Sequence, residues 1–384
     1  MRIVDVCAFY SPSGGGVKTY VEQKLRIAPG LGHEVTILAP GDRDDVIERG
    51  DGARIVTLAA PRFPLDRKYW YFDDETALHR ALDRLGPEVV EASSPWRSAS
   101  MVARWHGRAR RSLVMHADPL SAYAYRWFGP LLTRQAIDRR FQSFWNHLRG
   151  LGAAFDTTVC ANSDLARRLH EGGVAGTHVQ PMGIETKVFS PTRRDTALRD
   201  RLLAACGLPG DACLLVGAGR LAPEKRWPMV VEAAAAASRA VPVGLVLFGE
   251  GRERHAVLRA IGGNPHVRLF EPQRDRTAFA AILASADGLV HGCEAETFCM
   301  VAAEARASGT PVIVPDGGGA SDHARGGAGL TFRAGSAIHL ADAIRRFCHT
   351  PPARADLPAP ISHEDHFRQL FAHYEALGRQ RRVA

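Results

Sequence analysis

No Cys-x-x-Cys pair occurs among the seven cysteines of this 384-residue chain. An odd count without paired spacing excludes a disulfide scaffold and implies reduced thiols in a cytosolic setting. Long apolar runs are also lacking. The most apolar stretch, Ala233–Phe248, is interrupted by Arg239 and Pro242, well short of the roughly 20 residues a membrane span needs. The first apolar run contains Asp5 and leads into Ser-Gly turns, so a signal peptide is not expected. Zinc-finger spacing, a basic zipper and an RNP signature are absent, as are low-complexity tracts and any His/Cys cluster with metal-ligand spacing. What remains, at 46% hydrophobic and 23% charged residues, is an ordinary globular composition whose length suits two domains of roughly 180 residues.

The net charge of +8 is concentrated. Between Arg97 and Gly150 ten arginines face only Asp118 and Asp138, with Trp105, Tyr123, Tyr125, Trp127, Phe128, Phe141, Phe144 and Trp145 among them. Two readings stand for this window. One is a solvated helical face whose aromatics are core; the other is contact with an anionic membrane surface or a phosphate-bearing lipid acceptor through Arg97, Arg126, Trp127, Arg139, Arg140 and Arg149. Nucleic acid is not an expected partner.

Short apolar runs alternate with longer amphipathic stretches. Strands are expected at 3–8, 34–38, 54–59, 88–91, 112–116 and 157–161, and again at 213–217, 244–249, 266–271, 288–291, 311–314 and 330–332. Strands of this length separated by helices read as βαβ units, hence two doubly wound α/β domains with parallel sheets. The division is expected near Pro181–Pro191, giving domains 1–187 and 188–362. In open α/β sheets ligands lie beyond the carboxyl ends of the strands, so the residues following strands matter most.

Three such loops stand out. The first strand runs into Ser11-Pro12-Ser13-Gly14-Gly15-Gly16-Val17, where glycines at a helix start let amides approach a phosphate. The loop Gly217-Ala218-Gly219-Arg220-Leu221-Ala222-Pro223-Glu224-Lys225 matches G-x-G-x-x-A literally. Pro223 and Pro228 delay its helix, however, and Arg220 and Lys225 place two cations past a strand end, which suits a diphosphate better than a dinucleotide fold. The third runs from Gly292 to Glu304, with a helix expected to start near Thr297. Glu296 then stands at the helix entrance and Glu304 two turns inside, two carboxylates able to accept hydroxyl hydrogen bonds, with amides at Phe298, Cys299 and Met300 facing a phosphate. Asp316-Gly317-Gly318-Gly319 is a further glycine turn at the same sheet edge.

With these loops in order, the chain resembles a retaining glycosyltransferase of family 4. The resemblance rests on Gly14-Gly15-Gly16-Val17, Pro181-Met182-Gly183-Ile184, Gly219-Arg220-Leu221 with Glu224-Lys225, Phe248-Gly249-Glu250-Gly251, Glu296-x7-Glu304 and Gly309-Thr310-Pro311-Val312 with Gly317-Gly318. These cover nearly the whole chain. The resemblance implies a GT-B fold, two facing Rossmann-like doubly wound parallel-sheet domains with a central cleft. It places acceptor binding in the first domain and sugar-nucleotide binding in the second, with the helix at 363–384 packing back on the first. It implies that Arg220 and Lys225 hold the donor diphosphate, that Glu304 binds the ribose and that Glu296 binds the transferred sugar. Gly15, Gly16, Gly219 and the amides of Phe298, Cys299 and Met300 complete the donor site, and His116 lies near the reacting sugar.

The implied activity is transfer of a mannose- or glucose-type hexose from a UDP- or GDP-linked donor to a glycan, glycolipid or lipid-linked acceptor, in cell-surface polysaccharide or glycolipid synthesis. No metal is called for, because Arg220 and Lys225 supply the cations a departing diphosphate needs, and no carboxylate nucleophile is required. The expected location is cytoplasmic, peripheral on the inner face of the cytoplasmic membrane. Four positions depart from the family pattern: Cys299 and Arg226 where glycine is usual, Glu185 for aspartate, and Ser93-Ser94-Pro95-Trp96 where a strand usually ends on an acid. A sugar-nucleotide epimerase, a non-catalytic sugar-nucleotide sensor and an NAD enzyme are the competing readings.

Overall fold

A computed structural model describes residues 1–8, 10, 16–64, 67, 69–129, 131–354 and 360–383. The chain separates into two compact units: Met1–Asp118, Phe128–Gly183 and His363–Ala384 form the first, and Pro119–Trp127 with Ile184–Ser362 the second.

The first unit carries strands β1 (Arg2–Cys7), β2 (Glu34–Gly41), β3 (Asp45–Glu48), β4 (Ala53–Ala59), β5 (Val89–Ser93), β6 (Arg110–Met115), β7 (Thr157–Cys160) and β8 (Thr177–Val179). Along this stretch of chain run helices α1 (Gly16–Ile27), α2 (Glu75–Leu85), α3 (Arg97–Arg104), α4 (Tyr125–Phe128), α5 (Arg134–Arg140), α6 (Gln142–Ala154) and α7 (Ser163–Glu171), of which α4 falls almost entirely in the Pro119–Trp127 segment of the second unit. The sheet order is β3-β4-β2-β1-β5-β6-β7-β8, parallel except for the antiparallel β3–β4 edge. The expected strands match observed ones to within two or three residues at each end. β3 and β8 are additions: β3 is a charged, largely exposed edge without an apolar face, and β8 is only three residues long.

The second unit has strands β9 (Cys213–Ala218), β10 (Val243–Phe248), β11 (Val267–Phe270), β12 (Gly288–Val290), β13 (Val312–Pro315) and β14 (Gly329–Phe332). Its helices are α8 (Thr196–Ala205), α9 (Trp227–Ala237), α10 (Arg254–Ile261), α11 (Arg276–Ser285), α12 (Met300–Ala307), α13 (Gly319–Asp322) and α14 (Ala337–His349). The sheet order β11-β10-β9-β12-β13-β14 is all parallel, and within the unit it reads 3-2-1-4-5-6, the dinucleotide-fold order. β9 and β12 are therefore neighbours although their connections lead to opposite flanks, and a crevice opens where the chain order reverses. The apolar strands need this setting: Leu214, Leu215, Val216, Leu289 and Val290 are fully buried, as expected for parallel strands covered on both faces.

The chain ends in α15 (His363–Val383). Its Phe367, Leu370, Phe371 and Tyr374 belong to the same buried cluster as Ile3, Cys7, Tyr20 and Val35, so the last helix completes the core of the first unit. Beneath α1 in that core, the Lys24 ammonium donates to Asp5 Oδ2 at 2.7 Å and to Glu91, with all three side chains fully buried.

Candidate functional site

The loop after β9 is held from three sides. The Gly219 amide donates to the Phe248 carbonyl and the Leu221 amide to that of Glu250, tying it to the end of β10. The Trp227 indole N–H donates to the Arg220 carbonyl at 2.9 Å. Packing is closest at Gly249, where a Cβ would lie 2.1 Å from the Gly219 carbonyl oxygen, so no side chain fits. A single 3-10 turn, Pro223–Lys225, then precedes α9, which gives the delay between glycines and helix that the two prolines imply.

This loop delivers Lys225 to Glu296. The ammonium donates to Glu296 Oε1, which also meets His291 Nε2 at 3.0 Å. His291 is buried immediately past β12, packed edge-on against the Trp227 ring. Burial works against the ionised form of Glu296, but the His291 hydrogen bond and the Lys225 charge outweigh it, and its pKa falls well below the usual range. Burial likewise opposes the charge on Lys225, and Glu296 more than restores it, raising the ammonium pKa. Arg220 is exposed beside them, with Nη2 3.1 Å from Glu224 Oε1.

The loop after β12 differs from expectation in one respect: α12 begins at Met300, three residues later than Thr297. Its cap, Cys299, has φ +71°, and the intervening residues turn against the glycines after β13. The Gly319 amide donates to the Glu296 carbonyl at 2.7 Å, and a Cβ there would stand 2.5 Å from the Thr297 carbonyl carbon. Glu304 consequently lies one turn inside the helix rather than two. The first amides of α12 precede its first backbone bonds, from Ala302 and Ala303 to the Cys299 carbonyl, leaving an N-terminus suited to an anion. Phe298 is buried beside it, its carbonyl accepting from His323 Nε2 at 2.7 Å.

Two departures from the glycine pattern acquire a structural meaning here. Among the described residues, Ser94, Arg226 and Cys299 are the non-glycine positions with positive φ, at +80°, +53° and +71°. Arg226 and Cys299 thus occupy the left-handed conformation that glycine adopts without cost. Arg226 compensates with a two-pronged pair to Glu294, Nε to Oε2 at 2.8 Å and Nη2 to Oε1. Consecutive cations after β9 therefore engage Glu294 and Glu296 after β12.

Glu304 is buried, and Arg276 Nη2 donates to its Oε1 at 2.7 Å. Burial raises its pKa, with Arg276 acting in the opposite direction. Neither Arg276 nor His291 was singled out from the sequence. Each follows a strand of the second sheet, the one signal that pointed to them.

His291, Glu296 and Cys299 place donor atoms within 4.8 Å of one another, a grouping that linear spacing did not reveal. A metal there would have to displace the Lys225 ammonium from Glu296 and deprotonate Cys299, whose thiol pKa burial raises far above its ordinary value. The chemistry of this set favours the ammonium.

In the first unit Gly16 opens α1, and Gly14 and Gly15 lie outside the described residues. His116 follows β6, edge-on to the Tyr20 ring at 4.8 Å. Burial lowers its pKa to about 4, so it is a neutral imidazole at neutral pH.

The basic window is divided by the structure. Trp105, Tyr125 and Trp145 are buried, as the core reading expects. Arg149 bonds the Gly172 carbonyl and Asn146, tethering α6 to the end of α7. Arg126 faces Glu224 at 3.6 Å and so belongs beside the Pro223–Lys225 turn, while Trp127 in the same unit is 60% exposed. Arg97 is exposed, its guanidinium donating to the Asp73 carbonyl; Arg139 and Arg140 end α5 in solvent, and Phe128 and Leu131 are exposed in the same unit. Among the described residues no helix is long and apolar enough to cross a membrane.

Residues 14–188 match the family described as Glycosyltransferase Family 4, and residues 199–359 that described as Glycosyl transferases group 1. A GDP-mannose-dependent alpha-(1-6)-phosphatidylinositol dimannoside mannosyltransferase of Mycobacterium tuberculosis is 32% identical over 317 residues, 82% of this chain and 79% of that protein. A GDP-mannose-dependent alpha-mannosyltransferase of the same species is 30% identical, covering 91% and 88%. Among solved structures, sucrose-phosphate synthase from Thermosynechococcus elongatus superposes with a TM-score of 0.73 at 21% identity, covering 99% of this chain and all of that one. HepE of Anabaena in complex with UDP gives 0.70 at 14% identity, covering 98% and 100%.

Proposed function

Since the chain belongs to glycosyltransferase family 4 and has the GT-B fold, we propose that it moves mannose from GDP-mannose, with retention of configuration, to a glycolipid acceptor. It is a sugar-nucleotide-dependent glycosyltransferase; the choice of donor and acceptor is our reading, supported by mannosyltransferase relatives that carry these substrates in their names. The relatives are transferases, which disfavours the epimerase and sensor readings.

The observation that carries the mechanism is the convergence of Lys225, Glu296 and His291 beside the α12 N-terminus. Breaking the sugar–phosphate bond leaves negative charge on the diphosphate. Lys225 and Arg220 neutralise it, together with the backbone amides at Phe298, Cys299 and Met300 that lead into α12 and the close backbone approach at Gly219. Glu296 accepts hydroxyl hydrogen bonds from the sugar and aligns it as positive charge develops at the anomeric carbon. His291 fixes the carboxylate from behind, and Glu304 takes the ribose. The diphosphate, as it leaves, accepts the acceptor's proton on the same face, so the residues present need form no covalent intermediate.

We assign the first unit, which holds Gly16 at the start of α1 and His116 after β6, to the acceptor. The exposed Phe128, Leu131, Arg139 and Arg140 of that unit support peripheral contact with an anionic membrane. The division at 187/188 into acceptor and donor domains belongs to the same proposal.

Calorimetric titration with GDP, UDP, ADP and NAD, without added metal, tests the donor. GDP is expected to bind and to lose affinity in Lys225→Ala. Binding of NAD alone would overturn the transferase site, and UDP in place of GDP would overturn the mannose donor. Conversion of GDP-mannose to another sugar nucleotide with no acceptor present would favour epimerisation.

A further inference from the structure

We infer that Arg276 is a positioning residue for the donor ribose, holding Glu304 ionised and in place. The inference rests on the proposal that Glu304 is the ribose-binding carboxylate.

Arg276 opens α11 directly after Asp275, whose carboxylate caps the helix by accepting from the Thr277 and Ala278 amides. The guanidinium is fixed at three points. Nη2 donates to Glu304 Oε1 at 2.7 Å, Nε donates to Glu185 Oε2 at 3.3 Å, and the group lies over the Phe189 ring at 4.6 Å. Phe189 is itself buried and meets Phe279 of the same helix edge-on. Such a guanidinium loses little freedom when it binds a carboxylate, unlike a loose surface arginine.

Glu304 needs this partner. Its side chain is only 6% exposed, and burial favours the neutral acid. A protonated carboxyl turns one oxygen into a donor, whereas a ribose diol brings two hydroxyls that donate most strongly to an anion. The charged groups acting on Glu304 are Arg276 of α11 and Glu185, the second of which pushes the same way as burial. Arg276 alone of the two opposes protonation, and by binding Glu185 as well it offsets that neighbour. At 48% side-chain exposure Arg276 does not plug the site.

The test measures calorimetric affinity for GDP and for 2′,3′-dideoxy-GDP, which lacks the ribose hydroxyls. The proteins are wild type, Arg276→Ala, Arg276→Lys, Glu304→Gln and the Arg276→Ala/Glu304→Gln double variant. Arg276→Ala is expected to weaken GDP by roughly tenfold, the scale of one charge-assisted hydrogen bond, while leaving the dideoxy probe unchanged. The loss should vanish in the Glu304→Gln background and grow as pH falls from about 8 to about 5, because the unopposed carboxyl protonates sooner. Arg276→Lys should recover much of the affinity. Equal losses for both probes, a loss that persists without the Glu304 carboxylate, or a loss independent of pH would each overturn the inference. Unchanged GDP affinity in Glu304→Gln would instead overturn the ribose assignment beneath it. Melting curves of each variant separate these outcomes from misfolding.

Discussion

The Lys225 ammonium and the Glu296 carboxylate, 71 positions apart in sequence, are hydrogen-bonded to each other. β9 and β12 are adjacent at the order reversal of the second sheet, so each strand end supplies one member of the pair. A cation suited to a leaving diphosphate and a carboxylate suited to sugar hydroxyls are thereby preorganised, each keeping the other ionised against burial.

Lys225→Ala should lower kcat by roughly a hundredfold or more, as removal of a preorganised charge-stabilising donor does, and should weaken GDP binding as well. Steady-state kinetics with GDP-mannose checks this. Unchanged turnover would take Lys225 out of the mechanism.

Arg226 and Cys299 hold left-handed backbone conformations that cost a side-chain-bearing residue roughly 1–2 kcal/mol. At each position the glycine variant should therefore be more stable than the alanine variant by about 1 kcal/mol. Both Arg226 variants lose the Glu294 pair, so their difference isolates the backbone. Thermal melting reads it directly. Alanine and glycine variants of equal stability would show that these conformations carry no strain.

Stability should decline with acid through buried histidines. His323 and His366 have pKa values lowered to about 4 by burial, in spite of hydrogen bonds to the Phe298 and Pro181 carbonyls. Unfolded, each titrates near about 6.5, so the unfolded chain takes up the proton first. Their contribution is complete above the unfolded value and is lost as pH falls toward 4, by on the order of 2–3 kcal/mol for each group. Melting temperature against pH should slope accordingly, and His366→Gln should flatten it. A slope identical in the variant would exclude His366 as a source.

Replacing Arg139 and Arg140 with glutamate should reduce co-sedimentation with phosphatidylserine-containing vesicles by roughly tenfold or more, given about 1 kcal/mol for each basic residue near such a surface. Donor binding in solution should be unchanged. Arg149 does not belong in this test, since its guanidinium is committed to Gly172 and Asn146. Vesicle binding that survives charge reversal would remove this segment from the membrane contact.

Much of the fold was legible because parallel strands buried on both faces must be short continuous apolar runs, and runs such as Leu214–Val216 or Leu245–Leu247 carry that mark in any context. β3 carried no such mark, since a charged edge strand forms by pairing with β4 and not by burying its own face. The start of α12 was misplaced for a related reason: helix propensity favours beginning at Thr297, but packing against Gly318 and Gly319 holds the chain out of the helix as far as Cys299.

The same division holds for the site. Local sequence determined that Gly219, Arg220, Lys225 and Glu296 stand in loops that follow strands, and that Glu304 lies in the helix after the last of them, because glycine, proline and an apolar run locate a βα loop from nearest neighbours alone. It did not determine that Lys225 meets Glu296 with His291 behind it, that Arg226 meets Glu294, or that Arg276 meets Glu304. The first two pairings depend on β9 and β12 lying side by side and the third on α11 packing against α12, arrangements decided by burial of the whole sheet and its helices, a property of the assembled unit and of no single segment.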